Sequence, residues 1–220
     1  MSTTALTPIE RLKAGIWDIH EGVASNGQKM EAPSEDNIMK GTLPLYKYRH
    51  NLGQRYLLQK GFEKVLDAFR HMEPRIAHVV TDDQFHAWKS AEDMKFFGDD
   101  PATVQPVPAT TEFLRWVAEC GEKSPILILA IHYVIEGSNN GAVYIAKAVQ
   151  KAYGLTGRDG VYHLLPYGEE IRTKWKAFTV AFNENQYSEK EMAEMIVAGR
   201  RAFGYMNKIA AESYALPENA

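Results

Sequence analysis

Apolar residues recur along the chain at spacings of three and four, and runs of strict alternation are weak throughout. That is the signature of amphipathic helices rather than strands. The first stripe is Ile9, Leu12, Ile16, Ile19 and Val23. Thr7 stands where an N-cap belongs and Pro8 at the first helical position, so a helix is expected to start there. His20 lies four residues past Ile16, on the edge of the stripe. The stretch from Gly22 to Pro33 is rich in Gly, Ser and Asn and reads as a loop.

A second helix is expected from about Leu43 through Phe69, with Gly53 and Gly61 as places where it can bend, and Pro74 permits a break. Asp82 or Asp83 is positioned to cap the next helix, which carries Phe85, Trp88 and Met94 and ends at Gly98. Pro101, Pro106 and Pro108 make a stiff connector. Thr110 or Thr111 then caps a helix that stops at Gly121. Ser124-Pro125 opens a long apolar helix through Tyr153, interrupted at Gly137-Ser138-Asn139-Asn140-Gly141 and closed by Gly154. After a loop through Gly168, two helices finish the chain, roughly Glu169 to Phe182 and Ser188 to Ser213. The expectation is an all-α fold, an antiparallel bundle of about seven helices forming one domain over residues 1–220.

Composition narrows the class. With 220 residues, 45% of them apolar, the chain can bury a core without disulfide or structural metal. Its single cysteine, Cys120, read as a helix residue near an exposed end, permits no intrachain disulfide and suits a reducing cytosol. The N-terminal residues lack a basic-then-apolar signal pattern. The longest apolar run, Pro125 to Ile135, is broken by His132 and too short for a bilayer. A cytoplasmic protein with no membrane span is expected. The net charge is −3 with both signs dispersed, which argues against nucleic acid as a partner.

The run from Gly137 to Gly141 is the most unusual local feature. Each glycine inside a helix costs about 1 kcal/mol relative to alanine, and Ser and Asn compete for backbone hydrogen bonds. Such a run marks either a bend at a close helix crossing or an opened turn that lets backbone approach a flat ligand. His20 is either a boundary histidine or an axial ligand to heme iron. His132 and Glu136, one turn apart, read as a hydrogen-bonded pair on the surface or between helices, or as ligands sharing a metal. No Gly-rich phosphate loop or serine nucleophile elbow is present.

Taken in order, several segments resemble the heme oxygenase family. Leu12-Lys13 followed by Ile19-His20 is similar to the family's first helix, and His20 falls on its proximal histidine without a gap. FHAWKSAEDMKFFG, from Phe85 to Gly98, resembles the family's acid-Asp-hydrophobe run closing on aromatic-Gly. Ser124 to Leu155 resembles the distal helix, Lys174-Trp175-Lys176 the Lys-aromatic-Lys segment, and Ala202-Phe203 the last helix. The resemblance implies heme held between the first and distal helices. It implies O2 and electrons from a reductase or ferredoxin, used to open the macrocycle to biliverdin, CO and iron. By the same resemblance His20 is the iron ligand, and Gly137, Gly141 and Phe203 contact heme. Lys13, Lys176 and Tyr133 meet its propionates.

The chain departs from the family at its distal signature, Gly-Asp-x-Ser-Gly-Gly, whose aspartate organises proton-delivering water. Here the segment is Glu136-Gly137-Ser138-Asn139-Asn140-Gly141, and gap placement puts Glu136, Ser138 or Asn139 in the aspartate's place. These three are the candidate catalytic residues. Ala24 stands where a carboxylate supports the proximal histidine, Trp17 where a basic residue is common, and Val180 where an arginine is common. Three readings follow: a biliverdin-forming oxygenase, a heme or bilin binder of the same fold, and a non-heme diiron oxidase on a similar bundle.

Overall fold

The computed structural model describes residues 5–20 and 35–219, without the side chains of His20, Glu35 and Asp36. Val23 and Ala24 lie outside the described residues. Nine α-helices and three short 3-10 turns are present among the described residues, and no strand. The helices are α1 (Pro8–His20), α2 (Glu35–Met39), α3 (Leu45–Arg70), α4 (Pro74–Val79), α5 (Ala87–Phe96), α6 (Pro108–Lys123), α7 (Leu127–Tyr153), α8 (Ile171–Glu184) and α9 (Glu189–Ala215). The two beyond the expected seven are the short α2 and α4, too brief to show a stripe.

Helix α1 begins as its sequence indicates. The Thr7 amide donates to Glu10 Oε2 at 2.8 Å, and the Glu10 amide donates back to Thr7 Oγ at 3.4 Å. Ser188 and Glu191 make the same reciprocal cap at the start of α9. Two other starts differ from expectation. Asp82 and Asp83 sit in a 3-10 turn, and α5 begins at Ala87. Its free amides are met from another helix: Glu63 Oε1 accepts from the His86 and Ala87 amides at 2.6 and 2.9 Å. Helix α6 starts at Pro108, because the Thr110 hydroxyl donates instead to Gln54 Oε1 on α3 at 2.8 Å. It continues through Gly121 to Lys123, and Cys120 is buried there rather than near an exposed end. A long-range partner overrode a local capping signal in each case.

The core sits on α7. Ile126, Ile128, Leu129, Ala130 and Ile131 have no more than 1% of their surface exposed. Around them pack Leu12 of α1, Phe62 and Leu66 of α3, Phe113 of α6, Phe182 of α8 and Met195 of α9. Full burial of each large side chain contributes about 1.5–3 kcal/mol. Helix α9 is the spine between α1 and α7. A Cβ on its Gly199 would lie 2.3 Å from Ile16 Cδ1 and 3.7 Å from Val134 Cγ2. Glycine there lets α1 close on α9 and brings α1 and α7 to one place. No helix among the described residues is long and apolar enough to cross a membrane.

Candidate functional site

Helix α7 runs unbroken from Leu127 to Tyr153, so the interruption expected at Gly137–Gly141 is absent. The reason is local. Ser138 Oγ donates to the Ile135 carbonyl at 2.7 Å and Asn140 Nδ2 to the Gly137 carbonyl at 3.2 Å. These polar side chains bond back along the helix without displacing its ladder. The buried turns on either side hold the segment helical, and tertiary packing outweighs the unfavourable propensity.

The run instead gives α7 two chemically different faces. Tyr133, Gly137, Asn140, Gly141 and Tyr144 recur at helical spacing and are half-buried or exposed. A Cβ at Gly141 would meet nothing within 4 Å, and one at Gly137 would lie 3.5 Å from the Trp175 ring. This face is therefore open, flat at its glycines, and bordered by the Tyr133 and Trp175 rings, whose centroids are 5.7 Å apart. Ser138 and Asn139 face the other way, into a polar chamber of about 50 Å³. Glu136 is buried behind that chamber.

The remaining candidates lie on α1, α8 and α9. Lys13 of α1 is exposed, its ammonium 4.8 Å over the Trp17 ring. Trp17 is itself 42% exposed, one turn from Lys13. Lys176 of α8 is exposed and follows Trp175. Neither lysine has an ion pair with another described residue, whereas Lys174 is committed to Asp83 at 2.9 Å. Phe203 of α9 is half-buried against the core. His20 closes α1, but its side chain lies outside the described residues. Helix α8 is tied to the start of α1 by the Ile9 amide, which donates to Asn183 Oδ1 at 2.9 Å. The structure brings Gly137, Tyr133 and Trp175 together at the open face, with Lys176 next to Trp175 on α8 and Lys13 beside Trp17 on α1.

His132 and Glu136 do not form the expected pair. Both are buried, so neither is a surface residue, and each has its own partner. His132 Nε2 meets Gln84 Oε1 at 2.9 Å, and its ring stacks on Phe62. Full burial holds its pKa down at about 4. Glu136 Oε2 accepts from the Tyr167 hydroxyl at 2.7 Å, and its Oε1 lies 3.3 Å from His86 Nε2. Burial pushes the Glu136 pKa up, but the nearby histidines and the Tyr167 hydroxyl outweigh it and leave a carboxylate below its ordinary value. Among the described residues no group of three or more His, Cys, Asp or Glu side chains is placed to hold a metal. A diiron centre would need such a group.

Several chamber residues escaped the sequence reading. His86 and His163 line it together with Asn51, Arg55 and Ser90. His163 Nδ1 donates to Asp93 Oδ2 at 2.7 Å, and the same carboxylate accepts the Tyr162 and His163 amides. His86 and Asp93 both lie in the Phe85–Gly98 segment, but Glu136, which His86 meets, and Tyr162 and His163, which Asp93 meets, are 50 to 70 residues away. No spacing rule links them.

The family model described as heme oxygenase matches residues 10–212. No curated protein is significantly similar in sequence. The fold is similar to that of heme oxygenase from Leptospira interrogans, with a TM-score of 0.84 at 20% identity over 94% of this chain and 100% of that one. It is also similar to heme oxygenase-2 from the cyanobacterium Synechocystis, solved with heme and NO: TM-score 0.82 at 17% identity, covering 94% and 85%. The Neisseria meningitidis heme oxygenase matches with a TM-score of 0.70 at 23% identity, covering 98% and 96%. The fold carries over where the sequence has largely diverged. With nearly its whole length matched and its helices arranged in the same way, the chain belongs to the heme oxygenase family.

Proposed function

We propose that this protein is a cytoplasmic, single-domain heme oxygenase that converts heme to biliverdin, CO and iron with O2 and electrons from a reductase or ferredoxin. The observation that carries the reading is the open glycine face of α7. In a chain of this family, that face offers a surface where a macrocycle can lie against helix backbone. The Gly141 position has free space where any side chain would project. Family membership supports heme as both substrate and cofactor, and the single buried cysteine suits a reducing compartment.

In this reading His20, at the end of α1, would hold the iron, and Gly137 and Gly141 would contact the macrocycle. Phe203 borders it, while Lys13, Lys176 and Tyr133 hold the propionates. Bound heme supplies the iron that activates O2 and the ring that is opened. Ser138, Asn139 and Glu136 hold water behind α7. Asn139 orients that water but cannot donate a proton itself, since its amide does not titrate near neutrality.

One observation favours a second reading, a binder of heme or bilin without turnover. Glu136 is turned inward to Tyr167 and His86 instead of lining the open face. Adding hemin to the purified protein, then ascorbate or a reductase under air, separates the two. The enzyme reading requires loss of the Soret band with biliverdin and CO released. A stable hemin complex that yields neither establishes the binder.

A further inference from the structure

Three buried polar atoms around one chamber have no well-directed partner: His86 Nε2, Glu136 Oε1 and Asn139 Nδ2. Unpaired buried polar atoms are costly, at about 1–3 kcal/mol each, and they concentrate where water or a ligand belongs. The chamber holds about 50 Å³, enough for several water molecules.

The His86 ring is oriented by its other nitrogen. Nδ1 lies 3.2 Å from the Asp83 carbonyl oxygen. A carbonyl only accepts, so Nδ1 carries a proton. Nε2 then faces a carboxylate oxygen at 3.3 Å. If neither atom carried a proton, two acceptors would be pressed together in a buried place, with His86 5% and Glu136 4% exposed. One proton therefore belongs to the His86 Nε2–Glu136 Oε1 pair. The contact misses hydrogen-bond geometry, which leaves Nε2 without a well-directed partner on a ring that lines the chamber.

We propose that the His86–Glu136 pair is the proton store of the reaction, delivering through chamber water ordered by Asn139 and Ser138 to the far side of α7. The proposal rests on the heme oxygenase reading. Its balance is simple. The proton leaves His86 Nε2 for a chamber water. His86 remains neutral with its Nδ1 proton on the Asp83 carbonyl, and Glu136 remains a carboxylate. A proton from solvent restores the pair through the same water. The anion left behind is stabilised by the Tyr167 hydroxyl and by Lys89, whose ammonium donates to the Pro166 carbonyl. The other charged or titratable groups that face the pair are Glu63, which accepts the His86 amide, His132 one turn before Glu136, and Arg55 and His163 on the chamber wall. Arg55 has no ion pair with another described residue, and His163 is engaged through Nδ1 with Asp93.

Two measurements test it. The first needs no heme: 15N NMR of the His86 ring in the apoprotein at pH 7. The expected result is protonation at both nitrogens, with Nε2 deprotonated in Glu136→Gln. A wild-type ring with a bare Nε2 overturns the proposal. The second compares hemin turnover in wild type and His86→Gln across pH 6 to 9. The glutamine keeps a polar side chain but cannot titrate. Hemin should bind with an unchanged spectrum while ring opening slows about 100-fold and loses its pH dependence. If wild type turns over and His86→Gln matches it in rate and pH profile, the pair is not the store. Should His86→Gln fail to fold, Glu136→Gln is assayed in its place, with the same expectations. If wild type does not turn over at all, the oxygenase reading fails, and the NMR result still decides whether the pair shares a proton.

Discussion

Arg200 of α9 grips Asp18 of α1 with both of its terminal nitrogens, Nη1 to Oδ1 at 2.6 Å and Nη2 to Oδ2 at 2.9 Å, and Nη1 also donates to the Gly15 carbonyl at 2.8 Å. The guanidinium holds the Asp18 carboxyl below its usual pKa. Asp18 is two residues before His20, so this fork fixes the last turn of α1 against the α9 spine. The fork anchors the turn of α1 that ends at His20.

Arg200→Ala should therefore change the hemin complex more than the fold. Thermal unfolding of the apoprotein should shift little, because the pair is partly exposed and such pairs contribute modestly. The ferric hemin spectrum should become heterogeneous and hemin release should speed up severalfold. A variant with the wild-type spectrum and release rate would show that α1 needs no such anchor.

Gly141 separates folding from binding. Its place in a helix makes Gly141→Ala stabilising in the apoprotein by about 1 kcal/mol, since the added Cβ meets nothing. Gly141→Phe should still fold, yet its ring would occupy the open face. Hemin affinity should fall at least about tenfold, equivalent to about 1.4 kcal/mol. An unaltered hemin titration for Gly141→Phe would place the ligand elsewhere.

The two lysines give a charge test. Both are exposed, so each propionate contact should be of the weak, solvated kind, and Lys13→Glu or Lys176→Glu should lower hemin affinity about fivefold. The loss should shrink in high salt. If both reversals bind hemin as wild type does, the propionates lie at another edge.

His132 makes a prediction about acid. Its folded pKa of about 4 lies below the ordinary histidine value of 6.5. The unfolded chain therefore binds a proton between these pH values that the folded chain does not. The stability is fully present above pH 6.5 and falls as pH drops toward 4, by about 3 kcal/mol in all. Urea unfolding of His132→Phe should be flatter over that window than wild type. An equal slope in both proteins would assign the acid sensitivity to other groups.

Helical periodicity made most of the long helices legible because each buries one stripe, and Thr7-Pro8 and Gly154 marked true ends. The sequence misled where a distant residue took over a local role. Glu63 caps α5 from α3, and Gln54 takes the Thr110 hydroxyl. Propensity also misread Gly137–Gly141 as a break, since it cannot register the packing that keeps α7 helical through the run. On the site, the glycine run marked the face of α7 that is open at Gly141, while the roles given to Lys13 and Lys176 came from the resemblance alone. The His86–Glu136 contact was invisible, because it joins residues 50 positions apart whose meeting depends on how α5 packs in the bundle.

The central claim, that heme lies between the end of α1 and the open face of α7, is tested most directly by the electronic spectrum of ferric hemin bound to His20→Ala. The histidine-ligated spectrum of the wild type should be lost in the variant and restored by added imidazole, which fills the place of the missing ring. An unchanged spectrum in His20→Ala, with no response to imidazole, would contradict it.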